Sequence, residues 1–317
     1  MFSHWQWECA FSCGGRRSKR VITGAIAGAT LASVMTVALA GVTASRSSGV
    51  PDDAEPVDTE DLFGFVGGAD IGDSGKQELE ADATLLSGKG TGTYVNTAAQ
   101  FLYKYTVFTN FRISAAATFA SYEIDGVSGL SDLQNAVVQS LSLDARFRLL
   151  DRTTAPVGLT LSVQPHWGFL DETSGVPLDH VGWVALLLAD RELVPNRVIG
   201  ALNLSFDTDR TRLLPDHAVE QEPTPGIGAA LSVRSTDGLR LGGEVRYLRG
   251  YEGAALEVFS GQALYAGPTL YKRLGNQGWI SAAVSVQVWG QTVGAPGALD
   301  LVNFTRYQAM LRAGFEF

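Results

Sequence analysis

The chain has 317 residues and 36 glycines against 11 prolines, and its 33 acidic and 24 basic side chains give a net charge of -9. Length alone admits one large domain or two small ones, and the acidic balance speaks against a nucleic-acid partner. Both cysteines, Cys9 and Cys13, precede the one long apolar run, so its excision leaves no thiol for a disulfide, a thiolate metal site or a cysteine nucleophile.

That run, VITGAIAGATLASVMTVALAGV from Val21 to Val42, follows Arg16, Arg17, Lys19 and Arg20 and leads into small-residue exits ending at Ala40 or Ala44. A basic segment, an apolar core and a small-x-small exit predict an export signal over residues 1–44, cleaved near 40 or 44. Two alternatives stay open. About 20 apolar residues also suffice for a membrane-anchoring helix, although the many Gly, Ala and Thr residues weaken it. The Arg16-Arg17 pair suits twin-arginine export, but the apolar residues expected soon after such a pair are missing. Residues 45–75 begin with SRSSGVPDDAEPVDTED, which holds six acids and almost nothing apolar, and are expected to form an acidic, disordered periplasmic tether.

Beyond the tether the pattern turns to period two and stays there, with no convincing helical periodicity. Val95, Thr97, Ala99, Phe101, Tyr103, Tyr105 and Val107 alternate with mostly small or polar neighbours. The same split holds for Leu141 to Leu149, for Val157 to Val163, and for Tyr307, Ala309, Leu311, Ala313, Phe315 and Phe317. It predicts strands at 76–87, 94–107, 111–123, 136–150, 156–167, 181–190, 197–207, 224–234, 239–248, 262–273, 279–289 and 304–317. Short connections are expected to alternate with long ones at 124–135, 168–180, 208–223, 249–261 and 290–303; the short 88–93 breaks the rule. An even set of long strands with short turns at one end and long loops at the other predicts an all-β, transmembrane, antiparallel up-and-down barrel of about twelve strands over residues 76–317.

Alternation alone also suits a soluble sandwich, in which the apolar face points inward. Three features favour the inverted, membrane arrangement. One is the export signal. Another is the set of aromatic strand ends expected as interfacial girdles: Tyr103, Tyr105, Trp167, Trp183, Tyr247, Tyr271, Trp279, Phe315 and Phe317. The third is the closing AGFEF, which resembles the C-terminal signal read by the outer-membrane barrel assembly machinery and assigns that role to Phe315 and Phe317.

FGFVGGADIGDSGKQELEAD, RLLDRTTAPVGLTLSVQPHWG and GPTLY resemble the uncharacterised outer-membrane β-barrel proteins of Gram-negative bacteria. The resemblance implies location and fold, and no particular cargo. The expected setting is the cell outer membrane, with both mature termini periplasmic and with outer-membrane lipid, lipopolysaccharide and the assembly machinery as partners.

The inward register carries the functional expectation. Lys104, Arg112, Asp144, Arg146, Arg148, Arg240, Glu244, Arg246, Arg306 and Arg312 are expected to line the lumen. They read either as a track for a small polar or anionic solute, as arginine rings serve in anion pores, or as a salt-bridge ladder filling the tube. The leading expectation is a narrow porin-like channel; the alternative is a closed structural or surface-interaction barrel acting through loops 168–180, 208–223 and 290–303. A third reading, a rim hydrolase, rests on His166 and the following Asp171, Glu172, Asp179 and His180. The expected protein is otherwise no enzyme. GDSGKQ and GKGTGTY lack phosphate-loop spacing and read as turns, so no nucleotide or other cofactor is expected. The loop acids Asp125, Asp132, Asp171, Glu172, Asp179 and Asp209 read as solvated, with divalent-ion bridging as the alternative, so no metal is expected.

Overall fold

The computed structural model describes residues 58–212, 219–236, 238–294 and 297–317. The expected signal and the first part of the expected tether, residues 1–57, lie outside the described residues. Within them twelve strands run in chain order: β1 (Gln77–Ser87), β2 (Thr93–Phe108), β3 (Phe111–Asp125), β4 (Leu133–Leu150), β5 (Gly158–Leu170), β6 (Pro177–Val194), β7 (Val198–Arg212), β8 (Val219–Thr236), β9 (Leu239–Glu252), β10 (Val258–Leu274), β11 (Gly278–Thr292) and β12 (Tyr307–Glu316). Each pairs antiparallel with its sequence neighbour, and β1 pairs with β12 from Glu78↔Glu316 to Ser87↔Tyr307. The sheet closes on itself and leaves no edge strand.

The period of two decides what each face meets. Leu79, Phe101, Leu141, Leu143, Val163, Leu202, Leu204, Ile227, Leu231, Val245 and Val284 all point out and are exposed. Their even-numbered or alternate neighbours Glu80, Lys104, Arg112, Ser162, Asn203, Glu244 and Ser285 are buried inside. A belt of exposed Leu, Val, Ile and Phe around a polar, ion-paired interior inverts the soluble arrangement and needs hydrocarbon against it, so the barrel spans a membrane. Cross-strand aromatic contacts add to the belt. Phe111 and Phe147 face each other across β3 and β4 with centroids 4.7 Å apart, and Trp183 stacks on Phe206 at 5.4 Å. Pairs of this kind contribute about 0.5–1.5 kcal/mol beyond their area.

Three expectations need correction. The strands run further than the sequence pattern indicates at the rim away from the termini, so 124–135 shrinks to a connection at 126–132 and 168–180 to one at 171–176. There the wall rises above the apolar belt and both faces become polar; the alternation fades while the backbone pairing continues. Tyr271 and Trp279 do not belong to the aromatic girdle: both face inward, 7% and 3% exposed. Trp279 lies opposite Gly314, where an added Cβ would sit 2.4 Å from the indole. The glycine of the closing AGFEF thus makes room for a lumenal tryptophan. The third correction concerns the tether.

Candidate functional site

Residues 58–72 do not hang from the rim; they fold into the lumen as a plug. Leu62, Phe63, Val66, Ala69 and Ile71 are fully buried, and Leu62, Phe63 and Val66 cluster with Ile199, Ala201, Ala230, Tyr271 and Trp279 of the wall. The plug is a compact loop bonded to itself, with Leu62 N–H donating to Thr59 O and Gly68 N–H to Glu60 O. Gly68 is required there, since a Cβ would lie 1.9 Å from Thr59 O; at Gly64 one would meet Ala283 Cβ at 2.3 Å.

A buried loop has backbone groups that water no longer serves, and wall side chains take over that role. Asn203 donates Nδ2–H to Gly67 O at 2.9 Å and accepts Gly67 N–H at 2.7 Å. Glu244 accepts Val66 N–H at 3.1 Å, Asp190 accepts Ala69 N–H at 2.7 Å, and Thr160 and Thr106 donate to Ala69 O and Ile71 O. Arg312 donates to the carbonyls of Phe63 and Gly64 at 2.9 and 2.8 Å.

The plug acids explain the basic lumen. Glu60 pairs with Lys104 at 2.8 Å, with Arg112, and with Arg146 at 3.6 Å. Asp61 pairs with Lys104 at 3.1 Å and Arg312 at 3.0 Å. Asp70 pairs with Arg152 at 2.7 Å, and Asp58 with Lys76 at 2.8 Å. Lys104 also pairs with Glu78 and Glu80. Charges buried in this way add little net stability against an apolar filling, but removing one partner strands the others.

Of the residues expected to line the lumen, Lys104, Arg112, Arg146 and Arg312 converge on the plug. Asp144 braces Arg146 at 2.8 Å and accepts from Ser162. Arg148 reaches Gly72 O and Asp151. Arg240 is buried opposite Tyr271 on the neighbouring strand, and Glu244 is buried under the plug. Arg246 lies 4.0 Å over the ring of plug residue Phe65 and donates to Gln308 at 2.5 Å. Arg306 departs from expectation: β12 begins only at Tyr307, and Arg306 is exposed at the rim over the Tyr307 ring. Phe315 faces outward, paired with Leu79, and Phe317 N–H donates to Gln77 O at 3.0 Å to extend the seam.

Sequence reasoning missed Glu60, Asp61, Phe63, Asp190 and Asn203. The signal for the first three was on the page, since LFGFVGG interrupts an acidic stretch with residues that water disfavours. Beside the plug a cavity of about 360 Å³ remains, bordered by Phe65, Val66, Gln100, Asp144, Gln164 and Arg246, among others.

Two connections narrow the tube at the rim away from the termini. Tyr94 and Tyr122 donate to Thr173 O and Glu172 O, drawing 171–176 inward. Asp300 is fully buried, exchanges hydrogen bonds with Gln287, and holds its loop against the lumenal side of β10 and β11. Lys89, in the β1–β2 connection, donates to Val302 O at 2.7 Å, and burial lowers its pKa to about 8. Of the expected rim-hydrolase set, His166 and His180 come together with Asp209; Asp171 instead caps its own turn through Ser174 N–H, and Asp179 is exposed.

In fold the chain is similar to an outer-membrane channel from Pseudomonas putida F1, with a TM-score of 0.55, 12% identity, and coverage of 83% of this chain and 100% of that one. It is likewise similar to the β domain of the Bordetella autotransporter BrkA, with a TM-score of 0.50, 12% identity, and coverage of 77% and 100%. No curated protein matches. The model of a family of unknown function, DUF6662, matches residues 55–317, and the chain, a twelve-stranded transmembrane barrel, belongs to that family.

Proposed function

We propose that the protein is an outer-membrane channel for small polar, preferably anionic, solutes, held shut by its own N-terminal segment. The observation that carries this reading is the use to which the lumenal cations are put. Lys104, Arg112, Arg146 and Arg312 all face the tube and all bind carboxylates of the plug, Glu60 and Asp61. When the plug withdraws, its two carboxylates leave with it while the four cations stay beside the wall acids Glu78, Glu80 and Asp144, so the lining becomes more basic than in the plugged tube, which lowers the barrier for anions. The cavity of about 360 Å³ beside Phe65 is of a size for a small solute. The likeness in fold to an outer-membrane channel is in keeping with this reading. The expected export signal and the expected assembly signal at Phe315 and Phe317 are in keeping with residence in the outer membrane, and in this reading the plug enters from the periplasm.

A closed barrel serving the envelope is the second reading, favoured by the number of wall residues dedicated to the plug. Planar-bilayer recording separates the two. The channel reading expects a nearly silent parent chain and steady, anion-preferring openings after deletion of residues 58–72, with the preference lost on Arg112→Ala/Arg146→Ala. A deletion variant that folds, as judged by its heat-shifted gel mobility, and stays silent sinks the channel and leaves the closed barrel. The hydrolase reading keeps Glu172, whose carboxyl lies within electrostatic reach of His166, His180 and Asp209, whereas Asp171 caps its own turn and Asp179 is exposed.

A further inference from the structure

His166, His180 and Asp209 lie on three successive strands, β5, β6 and β7, and meet inside the tube near the rim away from the termini. His166 stands opposite Gly182, Gly182 opposite Asp209, and His180 opposite Gly168. The two glycines make the meeting feasible. A Cβ on Gly182 would lie 2.2 Å from Asp209 Oδ1 and 2.5 Å from His166 Nε2, and one on Gly168 would lie 1.8 Å from His180 Cε1. Both rings therefore lean across a neighbouring strand into space that any side chain at 168 or 182 would fill.

The hydrogen bonds leave one anomaly. His180 is 7% exposed, and its Nδ1 faces Leu178 O at 3.3 Å, a carbonyl that only an Nδ1–H satisfies. In the neutral ring the lone pair is then on Nε2, which is buried without a hydrogen-bond partner and faces Asp209 Oδ1 at 3.5 Å. An imidazole lone pair aimed at a carboxylate oxygen is repelled unless a proton or a metal ion lies between them. His166 Nε2 approaches the same oxygen at 2.7 Å, and the three ligand atoms lie within 4.8 Å of one another. Asp207, one alternate position along β7, has a buried Oδ1 that also lacks a partner.

We infer that His166, His180 and Asp209 form a binding site for one divalent transition-metal ion of the zinc type. Two imidazoles and one carboxylate suit such an ion better than calcium or magnesium, which prefer oxygen ligands throughout. Ligand atoms about 2.0–2.2 Å from a metal stand roughly 3–3.5 Å apart, so a small separation of His166 from Asp209 admits the ion. Three protein ligands leave at least one position for water. On loading, the neutral His166 ring gives its Nε2 lone pair to the metal: the hydrogen bond to Asp209 breaks, a coordinate bond forms, and the ring keeps its one proton on Nδ1.

The test is calorimetric titration of the refolded full chain with Zn²⁺ after chelator treatment, with Co²⁺ as an absorbing probe. One ion per chain, a visible Co²⁺ band, and at least tenfold weaker binding in His180→Ala and Asp209→Asn are the expected results. A parent chain that binds no Zn²⁺ overturns the inference, as does an affinity unchanged in both folded variants.

Discussion

Asp61 and Arg312 stand 251 residues apart in sequence, yet Arg312 Nη1 donates to Asp61 Oδ1 at 3.0 Å inside the tube. The bond joins the first described segment of the chain to its last strand. The same guanidinium holds two plug carbonyls, so the far end of the chain completes the seat on which the near end rests.

Loss of Glu60 should release the plug. Its carboxylate serves Lys104, Arg112 and Arg146, and without it the ion pair left to Arg112 among the described residues is the one with Asp144, at 3.8 Å. Stranding a buried charge costs about 3–5 kcal/mol, equivalent to at least about a hundredfold in the docking equilibrium. Glu60→Ala is therefore expected to make residues 58–75 susceptible to protease in a barrel that stays folded. Equal resistance in parent and variant would show that the ion pairs do not hold the segment.

Gly314→Ala should weaken the seam. The new methyl would sit 2.4 Å from Trp279 Cε2, and overpacking of this kind costs about 1–3 kcal/mol. The urea midpoint of the refolded barrel is expected to fall, and Trp279→Leu in the same chain to restore part of the loss. A midpoint that does not move would mean the indole has another place to go.

Phe317→Ala separates assembly from stability. The ring faces outward and is 55% exposed, while its backbone N–H closes the last bond of the seam. Truncation keeps that bond and removes about 1–1.5 kcal/mol of apolar contact at most. The refolded protein should be nearly as stable as the parent, whereas the amount of folded barrel recovered from cell envelopes should drop severalfold. A parallel fall in both measurements would deny the residue a separate role in assembly.

Lys89 sets a sign for the response to base. Burial lowers its pKa from 10.5 to about 8, so the folded chain binds fewer protons than the unfolded chain between those values. Stability therefore rises with pH across pH 8 to 10.5, and the contribution is absent below pH 8. Lys89→Met should flatten that rise in denaturant midpoints measured across the window. A slope unchanged in the variant would assign the effect to other groups.

The barrel was legible because the membrane enforces a contrast: Leu141, Leu143 and Phe147 must differ from Ser142, Asp144 and Arg146 wherever lipid lies outside and polar groups inside. Above the lipid that contrast ends. VEQEPT at the start of β8 and DTDRTR at the end of β7 are polar on both faces, so their pairing left no periodic trace. Arg306 shares the parity of Arg312, but parity carries no information on where β12 starts. The plug was harder still. Its acids match those of a solvated tether, and their partners are scattered from Lys104 to Arg312, a relationship that local pattern does not encode. The metal-type cluster hid for the same reason: Asp209 sat in an expected loop, and only the registers of β5, β6 and β7 bring it to the two histidines.

The short link between plug and wall has a kinetic consequence. Only residues 73–76 separate the plug from β1, and Gly75 N–H is itself bonded to Thr106 O at 2.8 Å. A plug on so short a leash remains at millimolar or higher local concentration after it lets go. In the proposed channel the plug would then act as a tethered competitive inhibitor. A solute that rivals it for the lumenal arginines would have to be abundant or bind several of them at once, and that threshold would set which molecules in a dilute surrounding are ignored.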